Sequence, residues 1–385
     1  MNGLGKTLQA IEVIKRTKLQ AVIVCPAFLR HTWANEIVKF SNLTPIMLDN
    51  DTLYTDFEVA IVSYSSLYKF ENLFKKNQIV IADECHFLKN PSAKRTQKFH
   101  LLIESFTPER FIGLSGTAIK NRVPEFYSLL ALCSYNPKRN SGKSIFDRFK
   151  NYYAFCDYFT YRKEFKVHGR KVVKYEGHRN IDQLKFYLRG KYLRRKASEV
   201  LDLPPIIRKD IVLNESHIDK ELEKAFYGDK VAFATAKVNS AKLKVKHTVK
   251  YVKDLNEQGA EAIVIFTDHV EPAEEIAASL KCVPITGSTK MLIRSKIVEK
   301  FQAGELPYLV ATIGALSVGV TLTKATNLVF NDLSFVPGDI AQAEKRIHRI
   351  GQKESCVIHR MIYGTIDFHI AKELDKKLRT LVEVL

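Results

Sequence analysis

Residues 78–86 read Q-I-V-I-A-D-E-C-H. An unbroken apolar run, Ile79 to Ala82, passes directly into two adjacent acids. A strand wetted on one face alternates apolar with polar residues. A strand that does not alternate is covered on both faces, as in the interior of a parallel sheet. The pattern recurs in A-V-I-V-C-P at 21–26, V-A-I-V-S-Y at 59–64 and F-I-G-L-S-G-T at 111–117. Helical periodicity lies between these runs, first in L-Q-A-I-E-V-I-K at 8–15. Strands alternating with helices predict an α/β fold with a parallel sheet. Such sheets bind ligands at the carboxyl ends of their strands, where Lys6, Asp83, Glu84 and Ser115 fall in this reading.

A second α/β block follows a lysine-rich helical stretch at 237–258. Its predicted buried strands are A-I-V-I-F at 262–266, Y-L-V-A-T at 308–312 and N-L-V-F-N at 327–331. The segment between the blocks departs from the pattern. N-Y-Y-A-F-C-D-Y-F-T-Y at 151–161 suits the core of a helical subdomain, with base stacking the lesser reading. F-K-V-H-G-R-K-V-V-K-Y at 165–175 predicts a hairpin turning at His168–Gly169. L-R-R-K-A-S-E-V-L-D-L-P-P at 193–205 predicts a helix that ends at Pro204–Pro205. The expected organisation is a first lobe at 1–135, a basic insertion at 136–209, a helical linker at 210–258 and a second lobe at 259–385.

A chain of 385 residues exceeds one ordinary core, and its 46% hydrophobic content suffices for burial. The net charge of +18 and pI of 9.4 point to a polyanion, nucleic acid first. The excess is local: residues 138–209 hold twenty Lys and Arg against seven Asp and Glu. In the hairpin, Lys166, Arg170, Lys171 and Lys174 read equally as DNA contacts or as a solvated face. The six cysteines form no C-x-x-C pair, which argues against zinc or a disulfide framework and fits a reducing compartment. No apolar run reaches the roughly 18 residues of a membrane span, and the N-terminus does not read as a signal peptide. The expected location is the cytoplasm of a bacterial or phage host, or the nucleus of a eukaryotic one.

Three motifs carry chemistry. In G-L-G-K-T at 3–7, Gly3 and Gly5 let backbone N–H groups face phosphate oxygens ahead of a helix N-terminus. Lys6 then reaches the β- and γ-phosphates and Thr7 ligates magnesium. In D-E-C-H at 83–86, Asp83 holds the metal through water, Glu84 polarises the attacking water and His86 couples the site to its surroundings. In Q-A-E-K-R-I-H-R-I-G-Q at 342–352, Arg346 and Arg349 lie three apart, on one face if the segment is helical. They suit an arginine finger that ties hydrolysis to lobe closure. The bland alternative pairs them with Glu344.

In this order the motifs resemble a superfamily-two helicase-like ATPase of the Swi/Snf-related group, over essentially the whole chain. G-L-G-K-T-L-Q-A is similar to motif I, and V-I-V-C-P-A-F-L with W-A-N-E-I-V-K-F to motif Ia and its continuation. S-Y-S-S-L resembles Ib, D-E-C-H-F-L-K-N motif II and L-S-G-T-A-I-K-N motif III. I-T-G-S-T, A-T-I-G-A-L-S-V-G-V-T-L-T and the arginine motif resemble those of the second lobe. D-E-C-H-F-L-K-N, F-C-D and V-P-G-D-I-A-Q-A-E-K-R-I-H-R-I-G-Q look closest to the HepA-related annealing-helicase branch. The resemblance implies two RecA-like P-loop lobes, ATP and Mg2+ as cofactors, and translocation along duplex or forked DNA. It further implies backbone contacts to DNA by Ser63, Thr286, Gly287 and Thr312, and by Lys120 and Asn121. Gly319 is implied at the ATP–DNA interface, Gln342 beside the nucleotide, and Ser115, Gly116 and Thr117 in coupling. Ala118 stands where the family usually has proline, and Cys85 fills a small-residue position. The family's first strand and adenine contacts precede motif I. The expectation is therefore that the chain is a fragment or that an upstream N-terminal segment is supplied separately, with weak or no hydrolysis in isolation. A recruiting protein is a further expected partner, and no oligomer is required. Two readings compete: a strand-separating DNA or RNA helicase, and a catalytically weak DNA-binding scaffold.

Overall fold

A computed structural model describes residues 5–48, 56–116, 122–135, 145, 148–167, 170–195, 197–213, 230–316 and 320–384. The chain forms two compact units, Met1–Ala197 with Thr380–Leu385, and Ser198–Arg379.

The first unit is built on β1 (Gln20–Cys25), β2 (Pro45–Met47), β3 (Val59–Ser63), β4 (Gln78–Ala82) and β5 (Arg110–Gly113). They pair in the order β2-β3-β1-β4-β5, and every pairing is parallel. The expectation of double-faced cover holds, since all of β3 and β4 is buried. The chain enters at central β1, adds β3 and β2 on one side, then crosses to β4 and β5 on the other. Neighbouring strands β1 and β4 thus mark the topological switch point, whose carboxyl end is where open α/β sheets place ligands. Helix α1 (Lys6–Thr17) buries Ala10, Ile11 and Ile14 at helical spacing, and α2 (Arg30–Phe40) buries Trp33 and Ile37 one turn apart.

The basic insertion adds the Tyr152–Phe159 helix, whose N-cap Asn151 accepts from the Ala154 N–H at 3.0 Å. Phe149, Phe155, Phe159, Leu184 and Tyr187 share one buried cluster, so this aromatic stretch is chiefly core. Strands β6 (Tyr161–Val167) and β7 (Arg170–Glu176) are antiparallel, and Val167 pairs with Arg170. Only residues 168 and 169 connect them. These are the two at which the turn was expected, and both lie outside the described residues. The helix expected before Pro204 shrinks to Ala197–Val200, and Leu201–Pro205 is irregular.

The second unit holds β8 (Ile206–Leu213), β9 (Ile263–Thr267), β10 (Tyr308–Thr312), β11 (Asn327–Phe330) and β12 (Cys356–Tyr363). Their order is β10-β9-β11-β12-β8, again with parallel pairings throughout. The chain is therefore an α/β protein with two parallel sheets of the RecA-like kind. The boundary expected at 209/210 cuts through β8, which pairs with β12 along its full length from Ile206–Cys356 to Leu213–Tyr363. As an outer strand β8 is half exposed and carries Arg208, Lys209 and Asp210, so its composition resembled the basic insertion. The linker region instead contains the end of β8 and the helices Lys230–Leu243 and Val245–Glu257, while residues 214–229 lie outside the description.

Candidate nucleotide site

Gly5 caps α1 with φ 69°, a left-handed conformation that glycine adopts without steric penalty. An added Cβ there would meet nothing within 4 Å, but the backbone angle would strain any other residue. Lys6 opens the helix and Thr7 follows it. Gly3 lies outside the described residues.

Asp83 follows β4 at the switch point and is buried. Its N–H donates to the Val24 carbonyl at 2.8 Å, which ties it to β1. Two donors fix its carboxylate: the Trp33 indole N–H reaches Oδ2 at 2.8 Å, and the Glu84 N–H reaches Oδ1 at 2.9 Å. The Tyr64 hydroxyl donates to the Asp83 main-chain carbonyl at 2.8 Å. Burial and then the neighbouring Glu84 charge push the Asp83 carboxyl up to about 6, while the Trp33 and Glu84 hydrogen bonds and the Lys6 charge draw it down. Lys6 is thus close enough for its charge to be felt at Asp83.

Glu84 is buried with φ 49° and ψ 48°, left-handed for a residue with a Cβ. Such a conformation is uncommon and gathers at functional sites. His86 Nδ1 lies 3.0 Å from Glu84 Oε2 and 3.2 Å from Ser115 Oγ. Motif II and motif III are thereby linked through one imidazole. The backbone joins them as well, since the Leu114 N–H donates to Ala82 and the Cys85 N–H to Leu114, each at 2.8 Å. A Cβ at Gly113 would stand 3.1 Å from Cys85 Sγ, a tight contact that would push the thiol by a few tenths of an ångström. Gly116 is buried beside Ser115, whereas Thr117, Lys120 and Asn121 lie outside the described residues.

Hard oxygen ligands suit magnesium. Each Asp83 carboxylate oxygen takes one donor from the residues named above and has a further lone pair to offer. With Lys6 and Thr7 at the helix start, these residues fit a magnesium triphosphate. Among the described residues one other group has metal-ligand spacing: Asp268, His269 and Asp332, at the ends of β9 and β11. Lys237 already pairs with Asp268, and His269 Nδ1 lies 2.9 Å from Asp332 Oδ2, which makes this an internal ion network.

The expected DNA contacts fall in three places. Ser63 ends β3, its hydroxyl 2.9 Å from that of Ser65 and 2.6 Å from that of Ser66. In the second unit the Thr312 N–H donates to Ile285 at 2.9 Å, which sets Thr312 beside the Thr286–Gly287 turn. Arg294 holds that turn, donating to the carbonyls of Thr286, Thr289 and Ala315 at 3.2, 3.3 and 2.9 Å. On the hairpin, Lys171 pairs with Glu164 at 2.6 Å and Lys174 pairs with Glu176. The side chains of Lys166 and Arg170 lie outside the description.

Gln342 and Arg346 are buried in the Pro337–Ile347 helix. That helix ends at Ile347, and His348 at φ −98° and ψ 83° has left helical geometry. Arg349 is therefore in the following turn and does not share a helical face with Arg346. The two converge by another route, both donating to the Val320 carbonyl. Glu344, the acid that the alternative reading paired with them, is gripped at both oxygens by Arg208, at 2.9 and 2.6 Å. Gly319 lies outside the described residues. Gln352 was overlooked as a structural residue: its Nε2 donates to the carbonyls of Thr323, Ala325 and Ile347 at 3.1, 3.0 and 3.2 Å. Its place at the end of the arginine motif was the available signal.

The SNF2-related domain family matches residues 2–261, and the helicase conserved C-terminal domain family matches residues 244–351. The chain is 31% identical to SWI/SNF-related matrix-associated actin-dependent regulator of chromatin subfamily A-like protein 1 of Xenopus tropicalis, over 98% of this chain and 42% of that protein. It is 28% identical to the DNA annealing helicase and endonuclease ZRANB3 of Bos taurus, over 97% of this chain and 37% of that protein. The chain thus spans well under half the length of these curated relatives. Among solved structures, the Sulfolobus solfataricus SWI2/SNF2 ATPase core in complex with dsDNA aligns with a TM-score of 0.40 and 21% identity, over 100% of this chain and 87% of that one.

Proposed function

The chain belongs to the SNF2-related family of helicase-like ATPases, and on that premise we propose that it is an ATP-dependent DNA translocase. It hydrolyses ATP to move on duplex or forked DNA and remodels DNA or protein–DNA complexes. The observation that carries the reading is the buried Asp83–Glu84 pair at the carboxyl end of β4, with the Asp83 carboxylate held at both oxygens. Its relatives named for chromatin regulation and DNA annealing support the choice of DNA as partner. A non-secreted location, nuclear in a eukaryote, accords with these relatives.

In this proposal Gly5, Lys6 and Thr7 cradle the phosphates, and Asp83 holds magnesium through water. Magnesium bound there neutralises charge on the phosphate oxygens. Glu84 orients the attacking water and accepts its proton. His86 and Ser115 carry the state of that carboxylate to motif III, where Gly116 and Thr117 adjoin it. Gln342 lies beside the nucleotide, and Arg346 and Arg349 stabilise charge that develops on the transferred phosphoryl group. Ser63, Thr286, Gly287 and Thr312 grip the DNA backbone, assisted by Lys166, Arg170, Lys171 and Lys174.

The test is ATP hydrolysis measured with duplex, single-stranded and forked DNA, on the chain and on its Glu84→Gln form. Duplex or forked DNA should stimulate turnover, and Glu84→Gln should lower it by about 100-fold or more, as removal of a general base does, with DNA affinity kept. Stimulation by single strands together with net unwinding would favour a strand-separating helicase. DNA binding with no hydrolysis under any condition would favour a scaffold.

A further inference from the structure

Trp33 is the chain's one tryptophan, and it is 2% exposed. It stands fifty residues from Asp83 in sequence, yet its indole N–H lies 2.8 Å from Asp83 Oδ2. The fold brings them together because α2 follows β1 and Asp83 follows β4, and β1 and β4 are hydrogen-bonded neighbours. On α2 the residue shares its buried face with Ile37, which anchors the helix and aims the ring.

Asp83 therefore has three donors of separate origin. Trp33 in α2 holds one carboxylate oxygen, the Glu84 backbone holds the other, and Tyr64 beyond β3 holds the main-chain carbonyl. All three donors are neutral and buried at this end of the sheet. A carboxylate fixed at both oxygens cannot rotate about its terminal bond, and its remaining lone pairs point in set directions. Outer hydrogen bonds of this kind orient a metal's carboxylate partner and sustain its affinity.

We propose that Trp33 is the positioning residue of the nucleotide site: its indole N–H fixes the Asp83 carboxylate in the orientation that receives hydrated magnesium. The inference rests on the assignment of Asp83 to magnesium made above. It adds a role for a helix residue outside the loops that carry the nucleotide motifs. The same contact makes Trp33 a reporter of metal loading, since a change at Oδ2 is felt directly at the indole.

A single tryptophan allows the test to be made without ambiguity. The chain labelled with 5-fluorotryptophan gives one fluorine resonance. That resonance should shift when MgCl2 is added to the protein with ADP, and should stay in place when ADP is added with EDTA. In parallel, binding of N-methylanthraniloyl-ADP is titrated with MgCl2 for the native chain and for Trp33→Phe. Replacement of the tryptophan by 3-benzothienylalanine, which keeps the ring shape and lacks the N–H, supplies a second form should the phenylalanine variant fail to fold. The half-saturating Mg2+ concentration should rise about 10-fold in the forms lacking the N–H, in line with the loss of an outer hydrogen bond at a metal site. Nucleotide affinity in EDTA should not change. A benzothienyl form with the native Mg2+ requirement overturns the role of Trp33 alone. A native chain whose nucleotide binding ignores Mg2+ overturns the magnesium assignment itself, and this inference with it.

Discussion

Arg346 and Arg349 donate to a single acceptor: the Nη1 atoms of the two lie 3.1 and 3.2 Å from the Val320 carbonyl oxygen. Helical spacing does not produce this convergence, because the helix stops between them. The chain turns at His348, and the last helical carbonyls are taken by tertiary donors. The Leu322 N–H reaches Arg346 O at 2.9 Å, and Gln352 Nε2 reaches Ile347 O at 3.2 Å. Two guanidinium groups thus share one dipole while Arg208 occupies the nearby acid. Burial disfavours the charged form of Arg349. A half-buried cation of this kind gains from a phosphate that arrives.

The two arginines should therefore separate by experiment. Arg346 is 3% exposed and also donates to the Gln342 carbonyl at 3.1 Å, so it closes the end of its own helix. Arg346→Ala should lower stability by roughly 1–3 kcal/mol, the usual consequence of leaving buried polar groups unmatched, and turnover should fall with it. Arg349→Ala should melt within a few degrees of the parent while DNA-stimulated ATP turnover drops by about 1,000-fold, the lower range for an arginine finger. Near-normal turnover by a folded Arg349→Ala protein would remove it from the catalytic set.

On the hairpin, Lys163 and Lys174 share Glu176, and Arg162 and Lys171 share Glu164. Exposed pairs of this kind contribute about 0–1 kcal/mol, so a phosphate can displace them. Replacement of Lys166, Arg170, Lys171 and Lys174 by alanine should weaken DNA binding. The plot of log affinity against log salt should flatten by up to about 3.6, near 0.9 for each of four phosphates no longer neutralised. The reading to check is that slope in fluorescence anisotropy over a series of salt concentrations. If it does not move, the hairpin lies outside the DNA footprint.

Each unit contains a histidine whose surroundings disfavour the protonated form: His100, half-buried, in the first and His359, buried, in the second. Ser128 Oγ donates to the Leu88 carbonyl, so it accepts from His100 Nε2 at 2.8 Å, and Tyr135 lies 3.3 Å from Nδ1. His359 Nδ1 is 2.9 Å from the Tyr251 hydroxyl, and its Nε2 is 3.0 Å from Asn327 Oδ1. Burial lowers His100 to about 4, and burial with the Lys209 charge lowers His359 to about 4. Between about 4 and 6.5 the unfolded chain binds protons that the folded chain refuses. Stability from these residues is complete above pH 6.5 and is lost as pH falls through that window. Urea midpoints at pH 7 and pH 5 should differ less in His100→Gln and His359→Gln than in the parent. An equal drop in all three proteins would rule out both histidines as its source.

Strands buried on both faces were legible because their composition is decided by burial alone, as with Ile79–Ala82 and Val59–Val62. Strand β8 was not, because an outer strand with Arg208, Lys209 and Asp210 carries the charges of a surface segment. Of the residues expected at strand ends, Asp83 and Glu84 follow β4 and Ser115 follows β5 on one edge of the parallel sheet, whereas Lys6 opens a helix that no strand among the described residues feeds. What the motifs could not indicate depends on distant partners. The left-handed backbone of Glu84, the indole of Trp33 on Asp83 and the early stop of the arginine helix all have no local signature. Gln352 illustrates the reason: its side chain reaches carbonyls 27 and 29 residues away, a contact that periodicity cannot express.

Lys244 gives the sharpest test of how the second unit is held together. It sits at the break between the helices Lys230–Leu243 and Val245–Glu257 and is 0% exposed. Its ammonium lies 2.6 Å from Asp367 Oδ2 and donates to the Met361 carbonyl at 3.2 Å. The same carboxylate oxygen accepts from the Tyr363 N–H at 2.8 Å and from Ser240 Oγ at 3.2 Å. One buried ion pair therefore joins the helical segment to β12 and the helix that follows it. Removal of either partner leaves the other charge buried without compensation, which costs roughly 3–5 kcal/mol, whereas removal of both can approach neutrality. Lys244→Met and Asp367→Asn should each lower the urea midpoint sharply, and the double variant should recover a large part of that loss. Losses that simply add in the double variant would mean the two charges do not depend on each other, and that Ser240, Tyr363 and the surrounding packing hold the junction without them.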